Sequence, residues 1–324
     1  MVNGSTLSPS NLAIGAAVSL FEVTTLGQPL EVLKTHMAAN RTDNLRAAIQ
    51  RTYERGGFKG FYQGLVPWGW IESSTAGGIL LFTSAFVEDF ATMHGISKGT
   101  GGLLGGMAGG AAQAYLAMGI CTTMKTAEIT RARHVPTGLL ASLPGEPLPP
   151  HLQVPSSWTF FRESYKAGGL RAINKGVNAV ALRQVTNWGS RIGIARASEE
   201  VIRDLKGYRA EDKLGVGEKV LSSALGGILG CWNHPIEVVR VEMQSLNKAS
   251  SETRPAKLNM LDTLRHIYTE NGINGLFRGV TPRIALSTYR TVCLVSLGDY
   301  VRMHFGANKS RTDTDKIAKM VPTQ

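Results

Sequence analysis

The chain has 324 residues, 43% hydrophobic and 18% charged, with mean hydropathy −0.03; no twenty-residue window is wholly apolar, which excludes a single-span anchor. Thirty-five Lys and Arg against 24 Asp and Glu give a net charge of +11, so an anionic partner is expected: nucleic acid, anionic lipid or an acidic substrate. Cys121, Cys231 and Cys293 lack CxxC spacing, and no nucleophile elbow, catalytic carboxylate pair or metal-ligand cluster is present, so neither an enzyme nor a cofactor site is expected. Met1–Leu20 carries no Lys or Arg, so any targeting information is expected to be internal.

Taken in chain order, one pattern is written three times. The first copy is Gln28-Pro29-Leu30-Glu31-Val32-Leu33-Lys34, followed by Gly57-Phe58-Lys59-Gly60-Phe61-Tyr62-Gln63-Gly64. The middle copy is degenerate: Ile120 to Lys125, with Ile120 for Pro and Thr122 for the acid, then Gly169-Leu170-Arg171-Ala172-Ile173-Asn174-Lys175-Gly176. The third is His234-Pro235-Ile236-Glu237-Val238-Val239-Arg240, then Gly272-Ile273-Asn274-Gly275-Leu276-Phe277-Arg278-Gly279. Nearly charge-free stretches at Gly99–Met124 and Val220–Pro235, rich in glycine, suit close helix packing. There Gly102, Gly106 and Gly110, and likewise Gly226 and Gly230, recur every four residues on one face.

The pair P-x-[DE]-x-x-[KR] and G-x-x-x-x-aromatic-[KR]-G, three times over about 300 residues, resembles the mitochondrial carrier family along nearly the whole chain. Glu22–Pro29, Lys175–Val180, Thr186–Arg191 and Arg240–Gln244 are similar to the fungal citrate/oxoglutarate carrier subfamily. The resemblance implies an all-α membrane protein of six transmembrane helices in three pseudo-threefold repeats, 1–97, 98–209 and 210–324. Spans are expected near 11–38, 66–93, 100–133, 177–205, 216–246 and 280–305. Short matrix helices are expected near 43–54, 157–166 and 258–269. The six prolines from Pro136 to Pro155 mark an irregular loop in the middle repeat.

The resemblance also assigns roles. Glu31 would pair with Lys125 and Glu237 with Lys34 across a matrix gate. Arg240 lacks a partner because Thr122 is not acidic, and Gln244 acts as a brace. A cytoplasmic gate would use Asp299 and Arg302, with Arg196 and Glu199 reversed in sign and Ser84 and Val87 uncharged. The helix starts at Gly64, Lys175-Gly176 and Arg278-Gly279 would hold cardiolipin on exposed N–H groups.

Seven and eight residues beyond each helix-starting glycine lie Ile71 and Glu72, Arg183 and Gln184, and Leu286 and Ser287, which by the resemblance align with the family's three substrate contact points. Ala76, Asn187, Trp188 and Arg290 follow one turn later and Arg191 after another. In the resembled family, Arg followed by a polar residue at the second contact, here Arg183-Gln184, goes with carboxylate and keto-acid cargo, and the chemistry agrees: a guanidinium fork can hold a carboxylate by two charge-assisted hydrogen bonds. The subfamily carries Lys where this chain has Ala76 and an uncharged residue where it has Arg290, so citrate and cis-aconitate are both expected. Glu72 would orient Arg183 or Arg290, or carry a proton; Glu22, Gln113, Asn233 and His234 either line the path or make structural hydrogen bonds. The expected function is exchange of a tricarboxylate for a dicarboxylate or keto acid by a monomer in the inner membrane. The alternative is a basic membrane protein associated with mitochondrial DNA, from the arginines of the matrix connections.

Overall fold

A computed structural model describes residues 9–130, 157–208, 215–245 and 259–293, and every regular element among them is helical. Helix α1 (Pro9–Glu22) passes through a π-turn at Val23–Gly27 into α2 (Gln28–Ala39), with Thr25 out of helical geometry. The cause is Pro29, which has no N–H to give to the carbonyl four residues back; that Thr25 carbonyl instead accepts from the Tyr62 hydroxyl at 3.1 Å. Helix α3 (Leu45–Glu54) starts where the Asn44 side chain accepts from the Ala47 N–H at 2.8 Å, a standard N-cap. A short turn at Leu65–Gly69 leads into α4 (Trp70–Met93).

Helices α5 (Lys98–Gln113) and α6 (Gly119–Thr130) join through a π-turn at Ala114–Met118, so the middle copy breaks without a proline. After α7 (Ser157–Ile173) comes α8 (Val177–Lys206). Then α9 (Val216–Leu229) runs through a 3-10 turn at Gly230–Asn233 into α10 (His234–Gln244), again just before a proline, Pro235. Helices α11 (Met260–Leu276) and α12 (Val280–Val292) complete the described chain. Helices α7 and α11 run on past the expected ends, with breaks at Gly168-Gly169 and Gly272. The Pro136–Pro155 loop and the end of the sixth expected span lie outside the described residues.

The long helices pack in succession, α1 on α4, α4 on α5, α5 on α8, α8 on α9 and α9 on α12, and α12 returns to α2. Close approach is set by glycine. A Cβ at Gly105 would lie 2.5 Å from the Ser84 carbonyl oxygen, at Gly109 2.8 Å from that of Leu80, and at Gly226 2.6 Å from that of Arg191. The tight register on α4 is therefore 105/109, while Gly110 meets the Gln184 carbonyl on the other side. Gly230 faces open space, so the Gly226/Gly230 pair does not form one packed stripe.

Gly64, Gly176 and Gly279 all adopt left-handed φ, 74°, 74° and 85°, immediately before a helix. Their neighbours advance cyclically. A Cβ at Gly64 would meet Lys125 of α6, one at Gly176 would meet Gln244 and Met243 at the end of α10, and one at Gly279 would meet the Lys34 carbonyl of α2. Two helical stretches, Gly57–Met93 and Thr100–Thr130, are long and apolar enough to cross a membrane by composition alone. The remaining long helices carry polar faces, and those faces meet around a common cavity.

Candidate functional site

The helices enclose a cavity of about 490 Å³. On α1–α2 its lining runs from Gly15 to Lys34, about 28 Å of helix at 1.5 Å per residue. Of the eleven residues expected at the substrate site, ten line it: Glu72, Ala76, Arg183, Gln184, Asn187, Trp188, Arg191, Leu286, Ser287 and Arg290; Ile71 does not, and its side chain is exposed. Of the matrix-gate residues, Glu31, Lys34, Lys125 and Arg240 line it too. Seven cations (Lys34, Lys125, Arg183, Arg191, Arg240, Arg283, Arg290) face it against three carboxylates, Glu22, Glu31 and Glu72. A fourth carboxylate, Glu237, lies just behind the lining, 1% exposed.

That buried Glu237 organises the floor. It receives Lys34 Nζ at 2.8 Å, Arg183 Nε at 3.0 Å and both branches of Arg240, Nε at 3.0 Å and Nη2 at 2.8 Å. The Lys34–Glu237 contact expected from sequence is present. The Glu31–Lys125 contact is not: Glu31 turns to Lys34, three residues along its own helix, at 2.7 Å, and Lys125 takes Glu72 at 3.1 Å. Lys34 thus bridges two acids. Arg240 is not partnerless either, since its Nη1 also donates to Thr126 Oγ1 at 2.8 Å and Gln244 Oε1 at 2.7 Å. Gln244 then donates to Thr123 Oγ1 at 3.1 Å and the Lys175 carbonyl at 3.0 Å, tying α10 to α6.

Higher in the cavity, Arg290 Nε reaches Glu22 Oε2 at 3.2 Å, and Arg191 donates to Thr291 Oγ1 at 2.5 Å while standing 5.8 Å over the Trp188 ring. Neither Arg183 nor Arg290 is oriented by Glu72, which is committed to Lys125. The Glu72–Lys125 and Arg183–Glu237 pairs are close ion contacts within the cavity wall, at 3.1 and 3.0 Å. Gln184 is buried and donates to Gln113 Oε1 at 2.8 Å, the same oxygen that Trp188 Nε1 reaches at 3.2 Å.

Sequence reasoning missed Arg283. Its buried guanidinium lines the cavity, donates to Asn233 Oδ1 and lies 3.4 Å from His234 Nδ1. The signal was its place one helical turn before Leu286 and two before Arg290, on one face. Asn233 also donates to the Arg183 carbonyl at 3.1 Å, and His234 Nε2 meets the Arg278 carbonyl at 2.7 Å. These two polar residues therefore brace the site from behind, whereas Glu22 and Gln113 line it.

Of the residues expected at a cytoplasmic gate, Glu199 accepts from Ser222 Oγ at 3.5 Å. Asp299 and Arg302 lie outside the described residues, as does the side chain of Arg196. Arg278 donates to the Thr42 carbonyl at 3.2 Å. Two basic residues of the matrix connections turn inward: Arg41 to Glu242 at 2.6 Å and Asn271 at 2.7 Å, and Arg55 to the Ile129 carbonyl at 2.7 Å.

The family described as "Mitochondrial carrier protein" matches residues 5–95 and 212–309, the segments that hold the two complete motif copies. The citrate/oxoglutarate carrier protein of Saccharomyces cerevisiae is 50% identical over 91% of this chain and 90% of its own. The succinate/fumarate mitochondrial transporter of the same yeast is 22% identical over 91% and 90%. Mitochondrial ornithine transporter 1 of Rattus norvegicus is 25% identical over 84% and 86%. With motif copies, helix breaks and cavity in one arrangement, and with these matches, the chain belongs to the mitochondrial carrier family.

Proposed function

We propose that this chain exchanges a tricarboxylate, citrate or cis-aconitate, for a dicarboxylate or keto acid such as oxoglutarate or malate across the mitochondrial inner membrane. It does so by alternating access, as a monomer of six spans in three repeats (1–97, 98–209, 210–324). The observation that carries the reading is Arg183. It faces the cavity, its ion-pair partner among the described residues is Glu237 at 3.0 Å, and it stands in a lining where cations outnumber carboxylates among the described residues. Beside Glu237, a substrate carboxylate supplies a second acceptor for the several donors of the Arg183 guanidinium. Arg283, Arg191 and Arg290 extend the positive wall upward, which suits an anion with several carboxylates.

The name of the 50% identical yeast relative supports this cargo class. The cyclic contacts of Gly64, Gly176 and Gly279 support the threefold arrangement, and their helix starts suit cardiolipin phosphate. Closure at the matrix end rests on Glu237 and Lys34, which are nearly solvent-free. Binding of mitochondrial DNA gains no support from Arg41 and Arg55, which spend their donors inside the protein.

The test is uptake of labelled citrate, cis-aconitate, oxoglutarate and malate into proteoliposomes preloaded with each acid. Saturable uptake of a tricarboxylate that requires an internal di- or tricarboxylate supports the reading. Uptake of none of the four refutes it.

A further inference from the structure

The three bases at the matrix end, Lys34, Lys125 and Arg240, come from the three motif copies, but only two copies bring an acid, Glu31 and Glu237. Where the third acid would stand, Thr122 is 3% exposed and its Oγ1 has no hydrogen-bond partner among the described residues. The closure is one carboxylate short. Glu72, from the first turn of α4, reaches Lys125 at 3.1 Å, with side chains 13% and 8% exposed. A second feature brings them together: Gly64 leaves no Cβ where one would sit 2.7 Å from Lys125 Cγ, so α6 can close on the start of the α4 segment.

We propose that Glu72 is a positioning residue of the matrix closure. It is the third acid, supplied from the cavity wall in place of the one missing at Thr122, and it restores three carboxylates to three bases. The inference rests on the carrier reading and names how its site is coupled to closure. Because Glu72 and Lys125 both line the cavity, their contact is within reach of an entering anion. An entering carboxylate offers Lys125 a new partner and repels Glu72, so loading the site releases this part of the floor.

The test is a double-mutant cycle on the full-length protein in detergent without substrate, read as melting temperature and followed by exchange in proteoliposomes. Glu72→Gln and Lys125→Gln are expected to lower the substrate-free melting temperature by similar amounts, and the double variant by clearly less than both together. Adding Thr122→Glu to Glu72→Gln is expected to return at least half of the loss, because it restores the acid count. A Glu72→Gln protein that melts like wild type while its KM rises, additive losses in the cycle, or no return with Thr122→Glu would overturn the proposal. Each would leave Glu72 a plain substrate contact or a bystander. If the single variants do not accumulate, the swap Glu72→Lys with Lys125→Glu decides: an accumulating, exchanging swap supports the pairing, and an absent or inert one refutes it. Since the cycle is read without substrate, its failure is distinct from failure of the carrier reading, which wild-type exchange tests in the same vesicles.

Discussion

Glu237 is the residue on which the closed floor depends most, and the asymmetry between it and its partner Lys34 can be measured. Removing its charge with Glu237→Gln takes a counter-ion from Lys34, Arg183 and Arg240 at once, all at 2.8 to 3.0 Å. Lys34 keeps Glu31, but Arg240 is left with neutral acceptors. Stripping one partner from a buried ion cluster costs about 3–5 kcal/mol, because the remaining charge stays desolvated. Lys34→Gln is milder, since Glu237 retains two arginines, and a lost charged hydrogen bond costs about 1.5–3 kcal/mol before that compensation.

At about 2 °C per kcal/mol for a chain of this size, Glu237→Gln should lower the melting temperature in detergent by about 6–10 °C and Lys34→Gln by no more than about half of that. Exchanging the two charges is not expected to rescue the protein, because a lysine at position 237 would face Arg183 and Arg240. Equal losses for the two single variants, or a swapped protein as stable as wild type, would refute Glu237 as the shared anchor.

Further outcomes follow from packing and from the cavity. Gly279→Ala should cost about 1–2 kcal/mol for left-handed backbone alone, and more because the new methyl would stand 2.8 Å from the Lys34 carbonyl. Gly230→Ala, with nothing within 4 Å of its Cβ, should change the melting temperature little; both are read by thermal unfolding. Glu242→Ala leaves Arg41 buried with Asn271 and a distant Glu270, and should destabilise by about 3 kcal/mol in the same assay. Arg290→Gln combined with Ala76→Lys moves a cation from α12 to α4, and should shift the ratio of citrate to cis-aconitate uptake. An unchanged ratio in a folded protein removes both positions from the account of selectivity.

The motif copies made the framework legible. A proline or its degenerate substitute located the helix breaks, and the glycine ending each second element located the three left-handed helix starts. Counting from those glycines put ten of eleven residues on one cavity, Ile71 being the exception. What periodicity could not give was the choice among partners. Glu31 has Lys34 one turn away and Lys125 across the bundle, and the choice depends on side-chain geometry that spacing does not encode. Glu72 was read from its position as a substrate contact that orients Arg183 or Arg290 or carries a proton, whereas the approach of α6 at Gly64 gives it a lysine. Adjacent glycines at Gly105-Gly106 and Gly109-Gly110 offer two faces: Gly105 and Gly109 approach α4 and Gly110 approaches α8, and spacing alone does not say which neighbour each face meets. Arg283 carried no motif label, and its neighbours on the face were the clue.

The central claim is that Arg183 receives a substrate carboxylate in this cavity. It is tested most directly by citrate and cis-aconitate exchange in preloaded proteoliposomes with wild type and Arg183→Ala, each checked for folding by its melting curve. A charge-assisted pair is worth about 1.5–3 kcal/mol or more, so the account predicts a loss of at least about tenfold to a hundredfold for every acid wild type carries. A folded Arg183→Ala protein exchanging either acid at the wild-type rate would contradict it.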